Sequence, residues 1–311
     1  MPKLGYLLPT RERIMAGQHE TEPMLALAER AENLGFDSLW VGDSLLARAR
    51  HEPLTMLAAV AARTKKAELG TAVLLPALRN PTIMAHMAAT VDQLSVGRLI
   101  LGVGIATDVP NVRNEFAAAG VPFEKRVGRM LEGLRLCREF WKGENTEWDG
   151  RWNVGEGTLA PRPSQKGGPP IWMAAGAPAG LKRTAKEFDG WFPIGPDAPT
   201  MAERWEAVQA HAIDAGRDPA DITFAVYLTM TLDENADRAD QRMTDYLGTY
   251  YKTKGENMRR IQAHYAGSAT GAAEWLQSYA DIGASHIVLR FAGDHEQHQD
   301  QIVRIREGLG W

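Results

Sequence analysis

Among 311 residues there is one cysteine, Cys137, so the chain cannot form an internal disulfide. Clusters of Lys and Arg are missing too: 35 basic residues face 39 acidic ones, giving a net charge of -4. That balance lacks the electrostatic footprint of a nucleic-acid or membrane-surface binder, so neither partner is expected. No apolar run is long enough to span a bilayer and no charged-then-apolar leader opens the sequence, which makes the cytoplasm the expected compartment. No linker-like or low-complexity stretch divides the chain. Metal-ligand spacing is also lacking: there is no HExxH pattern, and although His295 and His298 are three apart, Asp294 and Gln297 read as a capping pair at a helix start. No metal site is expected. A third glycine is missing as well. "DQLSVGRLILGVGIATD", residues 92–108, has Gly102 and Gly104 at a strand end, but Thr107 breaks the dinucleotide-binding spacing. Two readings of the glycines stay open: they thin the strand end so that a ring or substrate can lie against backbone, or they only ease packing.

What is present is a composition of 44% apolar and 24% charged residues, ordinary for a soluble globular chain able to bury one large core. Short, largely unbroken apolar segments recur: "KLGYLLP" at 3–9, "DSLWVG" at 37–42, "AELGTAVLL" at 67–75 and "RLILGVG" at 98–104. They begin about 30 to 35 residues apart, the length of a βα unit. Helical patterns lie between them. Met24, Leu27, Ala28, Ala31 and Leu34 share one face before Gly35, and Asn80-Pro81 makes a cap and first turn. A covering helix is expected at about 124–142, followed by a Gly- and Pro-rich excursion at about 143–169 that is too long for a simple connection and suits a small hairpin. "PIWMAA", "GWFPIG", "ITFAVYLTMTL" and "SHIVLRFAG" bring the strand candidates to eight. Strands apolar on both faces and alternating with helices imply a parallel sheet covered by helices. The fold expected is a single α/β TIM barrel, (β/α)8, spanning 1–311 as one domain with insertions after strands four and seven; a doubly wound open sheet is the alternative.

In a barrel, chemistry belongs at the carboxyl ends of the strands. Those ends carry few ionisable groups here. Asp43 and Arg290 are nearly alone, which argues against a lysine-dependent barrel lyase or a metal hydrolase and favours a pocket for a large flat organic cofactor. Asp43 can hydrogen-bond the cofactor or cap its loop; Arg290 can meet an anionic substrate or pair with a neighbouring acid. "PTRERIMAGQHE" after the first strand offers Arg11, Arg13 and His19 as substrate contacts or as a solvated loop.

Three blocks carry a resemblance: "LSVGRLILGVGIA" with Glu115-Phe116 and "GVPFEKR"; "ELGTAVLLPALRNP"; and "PPIWMAAGAPAGLKRTAKEFDGWF". Together with "AERAENLGFDSLWVGDS" they resemble the bacterial luciferase-like superfamily of flavin- or coenzyme F420-dependent oxidoreductases. The resemblance implies a TIM barrel, a cofactor at the strand carboxyl ends, and a long mobile segment after strand seven, here about 232–268. It implies a phosphate-holding turn after strand five, Ala174-Ala175-Gly176-Ala177 before Pro178, where main-chain N–H groups at a helix start face the anion. It implies a non-prolyl cis peptide at Ala72-Val73, forming a bulge behind the cofactor ring; Gly104, at its thinned strand end, is a further candidate cofactor contact. Sugar-phosphate-oxidising members have His after the acidic residue of strand two and Glu after strand four; this chain has Ser44 and Thr107 there, which argues against that activity and leaves Ser44 a candidate substrate contact. Catalytic residues are not identified. The expected reaction is oxygenation of a small organic substrate by reduced FMN and oxygen, with a separate flavin reductase as partner; coenzyme F420-dependent hydride transfer is the alternative, and a non-catalytic flavin-binding protein a further one. Assembly into a homo-oligomer is expected.

Overall fold

The computed structural model describes residues 1–311. The chain has the α/β TIM-barrel fold, parallel strands alternating with helices. It divides into two compact units: Met1–Trp40 with Trp172–Trp311, and Val41–Ile171.

In the first unit, β1 (Lys3–Leu7) runs parallel to β2 (Ser38–Val41) in the register Gly5 to Ser38 and to β9 (His286–Phe291) in the register Leu4 to Ile287. Of these strands only Lys3 is exposed, as expected for strands covered on both faces. The connection after β1 holds α1 (Thr10–Met15) and α2 (Glu22–Asn33), and α2 stops where Gly35 takes φ +89°. β5 (Ile171–Met173) leads into α7 (Pro178–Glu187), and β6 (Gly190–Trp191) into α8 (Ala198–Asp214). Long β7 (Thr223–Leu232) pairs with β6 through Thr223 and Phe224, and with β9 from Ala225 to Met230. Its last residues, Thr229 to Leu232, also pair with β8 (His264–Gly267), which takes up the side that β6 leaves open.

The short apolar segments foretell every strand but β8. "HYAG" has no apolar run, and three of its four residues are half-buried, so nothing in its composition marks a strand. The segment 232–268 is largely regular, with α9 (Ala236–Tyr251) and α10 (Gly255–Arg259) ahead of β8. Helices α11 (Ala269–Asp281) and α12 (His295–Leu309) complete the unit.

In the second unit, β3 (Glu68–Thr71) pairs parallel with β4 (Leu99–Val103), Leu69 opposite Leu99. α3 (Pro53–Arg63) and α4 (Pro81–Leu94) follow β2 and β3; Asn80 caps α4 by accepting from the Thr82 and Ile83 amides. After β4 come α5 (Pro110–Ala118) and α6 (Arg126–Trp141). α6 buries Met130, Leu134, Cys137 and Trp141 and leaves Val127 and Leu131 half-buried, as a covering helix does; burial pushes the Cys137 thiol pKa up and leaves it inert. The excursion that follows does contain a narrow antiparallel contact, Trp148 with Val154.

Candidate active site

β3 is interrupted just past Thr71. The Ala72-Val73 peptide is cis, and pairing resumes at Leu74, which bridges Val103. The Gly102 carbonyl accepts from both the Thr71 hydroxyl (2.8 Å) and the Leu74 amide (2.7 Å), and from Gly70 opposite Ile100 to Leu74 opposite Val103 the strand carries one extra residue, a bulge at Ala72-Val73. Gly104 makes room for that bulge: a Cβ there would lie 2.7 Å from Val73 Cγ2. The glycine therefore serves a neighbouring side chain at the strand end.

Asp43 and Ser44 follow β2, and both are committed to the protein. The Asp43 carboxylate accepts from the Leu75 amide (2.8 Å) and from Arg79 Nη1 and Nη2 (2.5 and 3.1 Å). Arg79 also donates to Glu52 at 3.0 Å. Burial works against the Arg79 charge, yet Asp43 and Glu52 outweigh it and hold its pKa above the ordinary value. Ser44 donates to Glu115 Oε2 at 2.6 Å, and the same oxygen accepts from the Leu46 and Ala47 amides at 2.7 and 2.9 Å. Glu115 is 1% exposed, so a buried carboxylate from α5 fixes the loop after β2. Of the two roles open to Asp43, the loop clamp is the one its contacts serve.

In the first unit, Ala174 and Ala175 are half-buried and Gly176 and Ala177 exposed. Trp191 Nε1 donates to the Ala175 carbonyl at 2.8 Å, and Gly180 lets the turn fold close, since a Cβ on it would lie 2.8 Å from that of Ala175. α7 starts without a side-chain cap, in contrast to α3, α4, α8, α9, α11 and α12. Its first residue, Pro178, has no N–H, and the Gly180 amide donates to the Ala177 carbonyl at 2.8 Å. Arg204, on α8, reaches the same turn: its Nη1 would stand 3.2 Å from a Cβ on Gly176 and donates to the Gly195 carbonyl at 3.0 Å. No sequence pattern singles out Arg204, because a lone arginine on a polar helix looks like solvent-facing charge.

Arg290 is 1% exposed at the end of β9. It donates to Thr229 Oγ1 (3.1 and 2.8 Å), to the Tyr251 hydroxyl (3.0 Å) and to Gln262 Oε1 (2.5 Å). Rings of Tyr227, Tyr246, Tyr250 and Tyr251 surround its guanidinium, Tyr250 closest at 4.4 Å. Arg11 is also buried; it donates to the Tyr250 carbonyl at 2.9 Å and lies over that ring. Arg13 sits apart, 3.7 Å from Glu20. His295 and His298 serve packing: Tyr6 meets His295 Nδ1 at 2.8 Å, His298 Nε2 accepts from the Leu232 amide at 3.0 Å, and Asp294 caps α12 through the Gln297 amide.

The family profile of luciferase-like monooxygenases matches residues 2–310. The chain belongs to that family. It is a flavin- or F420-dependent oxidoreductase. It is similar to an F420-dependent glucose-6-phosphate dehydrogenase of Amycolatopsis mediterranei, 29% identical over 96% of this chain and 95% of that protein. One of the same description from Mycolicibacterium smegmatis is 31% identical over 76% of this chain and 71% of its own length. Among solved structures, a monooxygenase of Streptomyces bottropensis superposes with a TM-score of 0.83 at 25% identity, covering 98% of each chain.

Proposed function

We propose that the protein is a coenzyme F420-dependent oxidoreductase exchanging hydride with a small organic substrate. The observation that carries this reading is the description shared by the relatives aligning over most of the chain, F420-dependent in each case cited. It reverses the order expected from sequence, which put reduced FMN, oxygen and a flavin reductase first. The turn after β5 fits the cofactor's anionic tail. Amides of Gly176 and Ala177 at the uncapped start of α7 would donate to a phosphate oxygen, with the Arg204 guanidinium beside them. The helix-end field contributes about 0.3 to 2 kcal/mol, so the amide hydrogen bonds and Arg204 must carry the rest.

Bound there, the coenzyme supplies a ring that accepts or gives up a hydride. The chain's part is to hold and shield. Within the second unit the Ala72-Val73 bulge, kept in place by the bond to Gly102 and by the absent side chain of Gly104, has the apolar character that the resemblance asks of a backing for the ring. Asp43, locked to Arg79, fixes the loop after β2. A sugar phosphate is not the proposed substrate: Ser44 and Thr107 occupy the positions where sugar-phosphate oxidisers carry His and Glu, and the Ser44 hydroxyl is spent on Glu115. On this reading residues 1–311 act as one domain, in a homo-oligomer.

Fluorescence titration with F420 and with FMN, each oxidised and reduced, tests the proposal. Tight F420 binding with weak FMN binding is expected. The reverse would restore the oxygenase reading, and binding of neither would remove both.

A further inference from the structure

Hydride transfer at an alcohol or carbonyl carbon needs a partner for the proton on oxygen, and the titratable His and Glu that the resemblance gives sugar-phosphate oxidisers are Ser44 and Thr107 here. Ser44 cannot take over, since it already donates to a buried carboxylate. The first unit holds another phenol or hydroxyl in a setting made for proton traffic. The Tyr251 oxygen accepts a hydrogen bond from Arg290 Nη1 at 3.0 Å and a second from Gln262 Nε2. Gln262 is itself fixed by accepting from Arg290 Nη2 at 2.5 Å. Two N–H donors converging on one phenol oxygen, one of them cationic, favour the deprotonated form of that oxygen.

The charge around this oxygen points the same way. Arg290 is buried, and its hydrogen bonds go to hydroxyls and an amide, with no carboxylate among them. A buried cation that lacks a carboxylate partner gains most from an anion formed beside it. The groups facing Tyr251 and Arg290 are Tyr246 and Tyr250 from α9, Tyr227 and Thr229 from β7, Gln262 ahead of β8, and Arg11 and Glu12 from α1. The one acid in that set, Glu12, accepts from the Tyr246 hydroxyl. Burial pushes the phenols of Tyr227 and Tyr246 well up, which removes them as bases. Tyr251, at the end of α9, is half-buried like Tyr246 but differs in its partners, since its oxygen takes the Arg290 and Gln262 donors.

We infer that Tyr251 is the acid–base group for the substrate oxygen, and that Arg290 and Gln262 are its positioning residues. This deepens the hydride-transfer reading and rests on it. In the oxidising direction the substrate O–H bond breaks and its proton passes to the Tyr251 phenolate oxygen; the C–H bond breaks with its electron pair leaving as hydride to the oxidised coenzyme, and the C=O bond forms. Reduction reverses each transfer, with the phenol returning the proton.

Ultraviolet difference titration of the whole protein without coenzyme reads the phenol directly. Of seven tyrosines, one is expected to ionise with proton affinity at least about tenfold weaker than a free phenol. That signal should vanish in Tyr251→Phe, persist in Tyr250→Phe, and weaken about threefold or more in Gln262→Leu. With F420 and a panel of small secondary alcohols, Tyr251→Phe should lower kcat about a hundredfold or more, the scale of a lost general acid–base group. KM and F420 affinity should stay within about threefold, because the ring remains. An early-ionising phenol that survives Tyr251→Phe, no early-ionising phenol in the unaltered protein, or kcat within threefold in the variant would overturn the inference. If none of the alcohols reacts, the titration decides alone. Failure of the unaltered protein to bind F420 would instead sink the coenzyme reading.

Discussion

The two units hold their strand-end charges in opposite ways. In Val41–Ile171 Asp43 and Glu52 are matched to a cation, Arg79, while Glu115 is spent on Ser44 and two loop amides. In the other unit the cations lean on neutral oxygens instead, Arg204 on the Gly195 carbonyl and Arg290 on Thr229, Tyr251 and Gln262. Matched charges build architecture, since their fields cancel locally. Cations held by neutral acceptors keep an outward field, which suits a phosphate at one place and a developing phenolate at the other.

The strongest way to break this contrast is Glu115→Leu. It would leave the Ser44 hydroxyl and the Leu46 and Ala47 amides without their acceptor, a loss of about 3 to 5 kcal/mol. Urea unfolding should show a lower midpoint, and protease should cut first in the loop after β2; an unchanged midpoint would mean that the clamp is ornamental.

Acid separates the units next. Burial lowers the pKa of His286 to about 3 and of His295 to about 4, from an ordinary 6.5. Both are neutral when folded, whereas the unfolded chain takes up protons below 6.5, so their contribution is complete above that pH and falls away toward pH 4 to 3. At pH 5 the loss is about 2 kcal/mol for each. For Glu52, burial pushes the pKa up but the Thr55 amide and Arg79 outweigh it and hold it below 4.5, so its contribution survives until the pH drops under that value. Hydrogen exchange at pH 5 should therefore loosen β7 and β9 before β3 and β4. Equal loosening would contradict this assignment.

A smaller effect is expected at the turn proposed to hold the phosphate. Gly176→Leu would crowd the turn against Arg204 and should weaken F420 binding about tenfold, while the melting temperature stays put. Arg204→Gln should cost about threefold, and the loss should shrink as salt is raised. An insensitive affinity in both variants would move the phosphate elsewhere.

Much of this was readable in the chain. Gly35, Asn80-Pro81 and Asp294 announced helix ends because capping is local chemistry, and the β1, β2, β4 and β9 runs announced buried strands because a strand covered on both faces must be apolar throughout. Resemblance pointed to the Ala72-Val73 bulge and to the turn at Gly176. β8 stayed hidden: its pairing with β7 depends on neighbours 35 residues away, Thr229 for His264, and on no pattern of its own. Asp43 and Arg290 were noticed as charges at strand ends, yet their partners could not be named, since Arg79 and Gln262 are brought to them by helix and loop paths that composition does not encode.

By itself the sequence determined the alternation of strand and helix and the family, because those follow from short-range periodicity and from motifs carried by contiguous residues. Only the tertiary structure decided which charges are spent and which are kept in reserve. Whether Glu115 finds a loop, Arg204 a turn or Arg290 a ring of tyrosines depends on distances across the fold, and hydrogen bonds act only over the few ångströms that folding supplies.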